Sequence, residues 1–235
     1  MRFRGILFDK DGTLLDFNRS WLPVYRHAAN EFAAGDTRLA AALLTQHGFD
    51  AARERFLGGS LLAAGNNRQI AEAWAEQLQQ PQQVDSIRRQ LQRIFNEQGA
   101  LQATPVTGLA SCLRQLKAAN YRLGVATADS HQGIINTLQA FDVLTEFDFL
   151  AGYDSGHGVK PEAGMVLAFC EHTALRPEAI IVVGDNRHDI EMGRNANVGL
   201  CVGVLTGTSE RAELEDIADV VLDDIGGLAS YLQLR

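Results

Sequence analysis

Ile6-Leu7-Phe8-Asp9-Lys10-Asp11-Gly12-Thr13-Leu14-Leu15 is the stretch around which this chain is organised. A short apolar run reads as a buried strand. It stops at an aspartate, and a second aspartate follows two residues on. Gly12 suits a tight turn because glycine accepts backbone angles that other residues resist, and Thr13 can hydrogen-bond its local backbone. Two carboxylates this close repel, so ionising both needs a cation between them or a proton kept on one. Two uses follow: a cation site, and a nucleophile beside an acid–base. The plain structural alternative is a capping pair in a strand-to-helix turn.

Working outward, the texture changes twice. From about residue 17 to 100, Val and Ile are scarce while Ala, Leu, Gln, Arg and Glu dominate. Trp21, Val24, Tyr25, Ala28, Ala29 and Phe32 fall on one helical face, as do Ile70, Ala73, Trp74, Gln77 and Leu78. Pro81 separates two helices, and no strand is convincing. This segment predicts an all-helical module of four or five helices. After Thr104-Pro105, apolar strands at 121–127, 147–151, 180–184, 199–204 and 220–222 alternate with helices near 108–119, 131–140, 161–172, 187–196 and 209–215. Such alternation predicts an α/β fold, a doubly wound, Rossmann-like parallel sheet covered on both faces, to which strand 3–8 belongs. The core is expected at 1–16 and 101–235, and the helical module at 17–100.

Bulk properties narrow the class. Hydrophobic residues make up 46% and charged residues 21% of 235, and the net charge of −8 disfavours a nucleic-acid partner. Cys112, Cys170 and Cys201 are widely spaced among apolar residues, which predicts reduced, packed thiols. The apolar run before Asp9 is too short for a signal peptide and no segment approaches a membrane span, so a cytoplasmic protein without a membrane partner is expected. The lysines are Lys10, Lys117 and Lys160 alone, so the helical module can supply none.

In open parallel sheets the site forms at the carboxyl ends of the strands. Asp9 and Asp11 end the first strand; Thr127, Ala128 and Asp129 end the next; Lys160-Pro161 lies in a loop after the third; Gly184-Asp185-Asn186, with Asp189, follows the fourth. Taken singly, Thr127 could be a helix cap, Lys160 a solvated loop residue, and Asp185 and Asp189 an acidic pair on a first helical turn. Together they converge on one rim.

These motifs, in this order, resemble the haloacid dehalogenase superfamily in its phosphatase branch, similar to phosphoglycolate phosphatases with a helical cap after strand one. The resemblance implies that Asp9 is the nucleophile, forming an aspartyl-phosphate, and Asp11 the acid–base. Thr127 would bind a phosphoryl oxygen and Lys160 would neutralise charge. Asp9, Asp185 and the backbone carbonyl of Asp11 would hold Mg²⁺, with Asp189 orienting the site indirectly. The Asp11 carboxyl is then expected to point away from the metal, toward the cap. Asp11 separates phosphate-ester chemistry from the dehalogenase and phosphonate branches, which lack that acid–base. The sequence departs from the family at Ala128, where many relatives carry Asn, at Glu162-Ala163 after Lys160-Pro161, and at Lys10, where many carry an apolar residue.

The expected activity is therefore hydrolysis of a small phosphate monoester, phosphoglycolate or similar. Alternatives are a sugar phosphomutase, disfavoured by the missing cap lysine, and a non-catalytic binding module on the same fold. Candidate substrate-binding residues are Ala128 and Asp129, with Arg53, Arg55 and Arg68 of the cap placed to meet an anionic tail. For each arginine the plain alternative is an exposed helix residue. Gly58-Gly59-Ser60 and Gly65-Asn66-Asn67-Arg68 read as cap loops. His157 and His188 lack any zinc-ligand pattern. The oligomeric state is expected to be monomer or homodimer.

Overall fold

The computed structural model describes residues 3–234; Met1, Arg2 and Arg235 lie outside it. Its centre is β1 (Gly5–Phe8), buried along its whole length. Alternation along the strand divides its side chains between two layers. Ile6 and Phe8 pack on one side of the sheet, and Leu7 packs on the other. β4 (Arg122–Ala126) and β6 (Ile180–Gly184) flank β1 in parallel, with Leu123, Val125, Ile181 and Val183 joining the Ile6 layer. β5 (Phe149–Ala151), β7 (Leu200–Val204) and β8 (Val220–Leu222) complete a six-stranded parallel sheet of order β5-β4-β1-β6-β7-β8. Gly124 permits the tight approach here: a Cβ would lie 2.9 Å from both Leu7 and Phe169.

Helices cover both faces. α6 (Leu109–Ala118), α7 (His131–Ala140) and α11 (Gly227–Tyr231) contribute Leu113, Leu138 and Leu228 to the Ile6 layer. α8 (Gly164–Thr173) and α9 (Arg187–Asn195) set Phe169 and Met192 against Leu7 on the other face. α10 (Arg211–Glu215) packs Leu214 with Ile190 and Cys201. The fold is thus the expected doubly wound α/β architecture. α8 begins at Gly164 and not at 161, because Glu162 N–H closes a turn on the Val159 carbonyl first. All three cysteines are free and buried. Among the described residues, no helix is long and apolar enough to cross a membrane.

The inserted segment has its own core. α1 (Phe17–Phe32) is capped by Asp16, α2 (Thr37–Thr45) by Asp36, and α4 (Asn67–Gln77) by the Asn66/Gln69 capping box. α3 (Leu61–Ala64) and α5 (Val84–Gln102) complete the helices. Pro81 opens a short 3₁₀ turn between α4 and α5. Trp74, Phe56, Leu91 and Leu43 are fully buried at the centre, separate from both sheet layers.

Three expectations for this segment need correction. β2 (Phe49–Asp50) and β3 (Arg55–Phe56) form an antiparallel pair where no strand was expected; two-residue strands are too short to carry a period-two signal. α4 buries Ile70, Ala71, Trp74 and Ala75, so its inner face is turned toward Ala71 and away from Ala73, and Asn67-Arg68 open this helix instead of belonging to a loop. α5 runs two residues past the expected boundary at 100, to Gln102.

Candidate active site

Strand order reverses across β1, which opens a crevice at the carboxyl ends of β1, β4 and β6. Asp9, Asp11, Thr127, Ala128, Asp129, Lys160, Asp185 and Asp189 all line one cavity there, of about 60 Å³ beneath the cap. The fold thus gathers in one cavity the catalytic, metal-binding and substrate-binding candidates that the sequence places in the core.

Lys160 is the hinge of the charge arrangement. Its Nζ lies 2.5 Å from Asp9 Oδ1 and 2.6 Å from Asp189 Oδ1, with all three side chains buried. Burial works against the ammonium, but Asp189 and Asp9 outweigh it and hold the Lys160 pKa above its ordinary value. Asp189 Oδ2 accepts the Asn186 N–H at 3.0 Å, closing the capping box that starts α9. Both Asp189 oxygens are therefore engaged by the protein.

Asp185 is held differently. Its Oδ2 accepts the Thr208 N–H at 2.9 Å, from the loop after β7. Two glycines wrap it closely: a Cβ on Gly207 would lie 1.8 Å from Asp185 Oδ2, and one on Gly12, whose φ is +100°, 2.5 Å from Oδ1. Only glycine allows both backbones this near the carboxylate.

Asp9, Asp185 and Asp189 each place a carboxylate oxygen within 4.8 Å of the others. Burial drives the Asp9 carboxyl up to about 7; Lys160 opposes the rise, and Asp189 and Asp11 add to it. Burial, then Asp189 and Asp9, raises Asp185 well above the carboxylate range against the Thr208 hydrogen bond. Three buried carboxylates share one ammonium, so a hard divalent cation with oxygen ligands fits the donor set. The Asn186 Nδ2 is also buried without a partner among the described residues.

This excess of negative charge has a thermodynamic sign. A carboxyl with a raised folded-state pKa binds more protons in the native than in the unfolded state, so stability falls with pH across the interval from about 4 to 7. Metal-free protein is expected to melt at least about 5 °C lower at pH 8 than at pH 5.5. Mg²⁺ should restore more of that loss at pH 8 than at pH 5.5. Thermal melts with and without a chelator check this; a metal-free Tm that rises with pH would contradict it.

Asp11 turns away from this trio. Its Oδ1 accepts the Trp21 indole N–H at 2.7 Å, and Lys10 Nζ sits 2.8 Å from its Oδ2. The carboxyl thus points to α1 of the cap. Lys10 also reaches Asp129 Oδ2 at 3.1 Å and lies fully buried between the two carboxylates. Thr127 Oγ1 accepts the Asp129 N–H at 3.1 Å, which leaves its own hydrogen for an acceptor in the cavity.

The cap arginines are not in the cavity wall. Arg53 pairs with Asp50, Arg68 with Glu72 on its own helix, and Arg55 reaches across to Glu210 of the core. Each pairs with a carboxylate and lies outside the cavity lining, so this arrangement lends no support to the expected arginine contact with a substrate tail. The cap wall consists of Phe17, Trp21, Tyr25, Leu62–Gly65, Asn67 and Phe95. Sequence reading missed Gly207, Thr208 and the Trp21 N–H as site elements, and held Asn67 only as part of the Gly65-Asn66-Asn67-Arg68 cap loop. Only the first two carried a signal, a Thr-Gly-Thr-Ser run just past the 199–204 strand. His188 lines the cavity, while His157 is exposed and stacks near Phe149.

Residues 3–197 match the family model of haloacid dehalogenase-like hydrolases, most of the chain. The chain belongs to this family. It is 26% identical over 196 residues to an N-acetylmuramic acid 6-phosphate phosphatase of Pseudomonas putida, covering 83% of this chain and 80% of that one. It is 26% identical over 239 residues to a phosphoglycolate phosphatase of Escherichia coli, covering 98% and 93%. The fold matches the crystal structure of a predicted phosphoglycolate phosphatase from Haemophilus somnus with a TM-score of 0.76, at 22% identity and 99% coverage of both chains. This haloacid dehalogenase-like hydrolase is thus an enzyme among the family's phosphate-ester hydrolases.

Proposed function

We propose that this hydrolase is a Mg²⁺-dependent phosphatase that cleaves a small phosphate monoester through an aspartyl-phosphate on Asp9. The observation that carries the reading is the buried cluster of Asp9, Lys160, Asp185 and Asp189 beside Thr127 at the ends of β1, β4 and β6. Asp9 and Asp185, with the backbone of Asp11, would hold the metal. Asp189 serves better as the anchor of Lys160, since both its oxygens are taken. Bound there, the cation supplies positive charge against the phosphoryl group.

An Asp9 carboxylate oxygen forms a bond to phosphorus as the bond from phosphorus to the alcohol oxygen breaks, and Asp11 gives that oxygen its proton. Water then attacks the same phosphorus, Asp11 takes its proton, and Asp9 leaves as the carboxylate. Lys160 and the Thr127 hydroxyl stabilise the phosphoryl oxygens. Asp11 lies on the cap side, where the leaving oxygen emerges.

Among the described residues, the cap wall contributes no cationic side chain to the cavity, which weighs against the phosphomutase alternative. The relatives' names support phosphomonoesters, phosphoglycolate among them, as the substrate class. The test is phosphate release from an aryl phosphate with Mg²⁺. Sustained release that stops on chelation and resumes with Mg²⁺ is expected. No release from folded protein across many phosphate esters would refute the reading.

A further inference from the structure

The leaving-group end of the cavity has a chemistry of its own. Facing it from the core are Asp11 and Asp129, two carboxylates held by one ammonium, Lys10. Facing it from the cap are rings: Trp21 and Phe95 lie 5.1 Å apart edge to face, and Tyr25 and Phe95 5.4 Å apart. The Trp21 indole N–H and the Tyr25 hydroxyl are spent on Asp11 and the Leu62 carbonyl, and the remaining polar cap side chain in the wall is Asn67, buried and donating its amide N–H to Gln92 at 2.8 Å. Among the described residues, no Arg, Lys or His of the cap borders the cavity. The one strong cation in the wall, Lys160, stands at the phosphoryl end, paired with Asp9 and Asp189.

A leaving group that carried a carboxylate or a second phosphate would be stripped of water against aromatic rings, and the nearby ammonium, Lys10, is already taken by Asp11 and Asp129. Burying an unpaired anion is costly. An uncharged alcohol does not meet this cost. Its carbon skeleton covers the rings, and a hydroxyl or amide has Asn67 to face. We infer that this phosphatase selects small phosphate monoesters of uncharged alcohols and discriminates against those whose alcohol part bears an acid group. The inference rests on the phosphatase reading above and narrows it.

The experiment compares phosphoglycolate with phosphoglycolamide, which has the same shape and differs in charge. Both are assayed with Mg²⁺ alongside the aryl phosphate. The amide is expected to exceed the acid in kcat/KM by about tenfold or more, the scale set by one unpaired group in a closed site. A second arm uses Ala64→Arg, which adds a guanidinium to the cap wall at a half-buried position. That variant should shift the ratio toward the acid. A wild-type ratio near one, or one favouring the acid, with the aryl phosphate still hydrolysed, overturns this inference and leaves the phosphatase reading standing. Failure to hydrolyse any ester, the aryl phosphate included, overturns both. If the variant does not fold, the wild-type ratio decides alone.

Discussion

Replacing Asp9 by Asn should lower phosphate release by about 10⁴-fold or more, the scale seen when a covalent nucleophile is removed. The carboxamide keeps the shape and can still accept the Lys160 hydrogen bond, but its oxygen is a poor nucleophile. The fold should not suffer. Asp9 is a buried carboxyl pushed up to about 7, chiefly by desolvation, so its charge opposes the native state near neutral pH. Metal-free Asp9→Asn should therefore melt at or above the wild-type temperature at pH 8 while being inactive. Near-wild-type turnover in the variant would remove Asp9 from the nucleophile role. A lower Tm at pH 8 would refute the electrostatic account of the site.

Lys160→Ala is expected to fail in the opposite way, losing both activity and stability. Its ammonium lies between Asp9 and Asp189 and, among the described residues, is the one cation paired with both. Without it three buried carboxylates face one another, and breaking such a buried pair costs about 3–5 kcal/mol. Activity should fall by about 10²–10³-fold, the cost of losing one charge-stabilising donor in a transition state. Lys160→Arg should not rescue it, because a planar guanidinium cannot take the place of a compact ammonium between two oxygens only a few ångströms apart. Saturating Mg²⁺ should recover part of the stability, since the cation relieves the same repulsion, yet little of the rate. Denaturant melts and single-turnover assays on the two variants separate these effects. A Lys160→Ala variant as stable as wild type without metal would contradict the charge arrangement described.

The contrast between Asp9 and Arg55 explains how much was legible in advance. Asp9 follows an apolar run whose every residue is buried, and the parallel sheet dictates that strand ends share one rim. Asp185, Thr127 and Lys160 inherit their places from the same rule. Arg55 sits in a segment whose residues could face solvent, core or cavity, and local sequence does not distinguish these. Its fate depends on Glu210, 155 residues away. Trp21 and Tyr25 illustrate a subtler limit. Helical spacing assigns them to the buried face of α1, and they are buried there, but that same face also forms the roof of the cavity.

The sequence by itself determined the layered α/β architecture, the inserted helical cap and the convergence of Asp9, Asp11, Thr127, Lys160, Asp185 and Asp189. Those follow from short-range rules: apolar period, capping residues and the placement of polar groups at strand ends. The direction of Asp11 toward the cap was already implied by the family resemblance, but tertiary structure alone decided which partner each carboxylate takes. Asp11 turns to Trp21 and Lys10, Asp189 binds Lys160 and Asn186, and Gly207 with Thr208 encloses Asp185. It also decided that the cap lines the cavity with aromatic rings and Asn67 and, among the described residues, with no guanidinium. The physical reason is that a side chain's direction and its partner are set by groups distant along the chain, which meet only after both domains have packed.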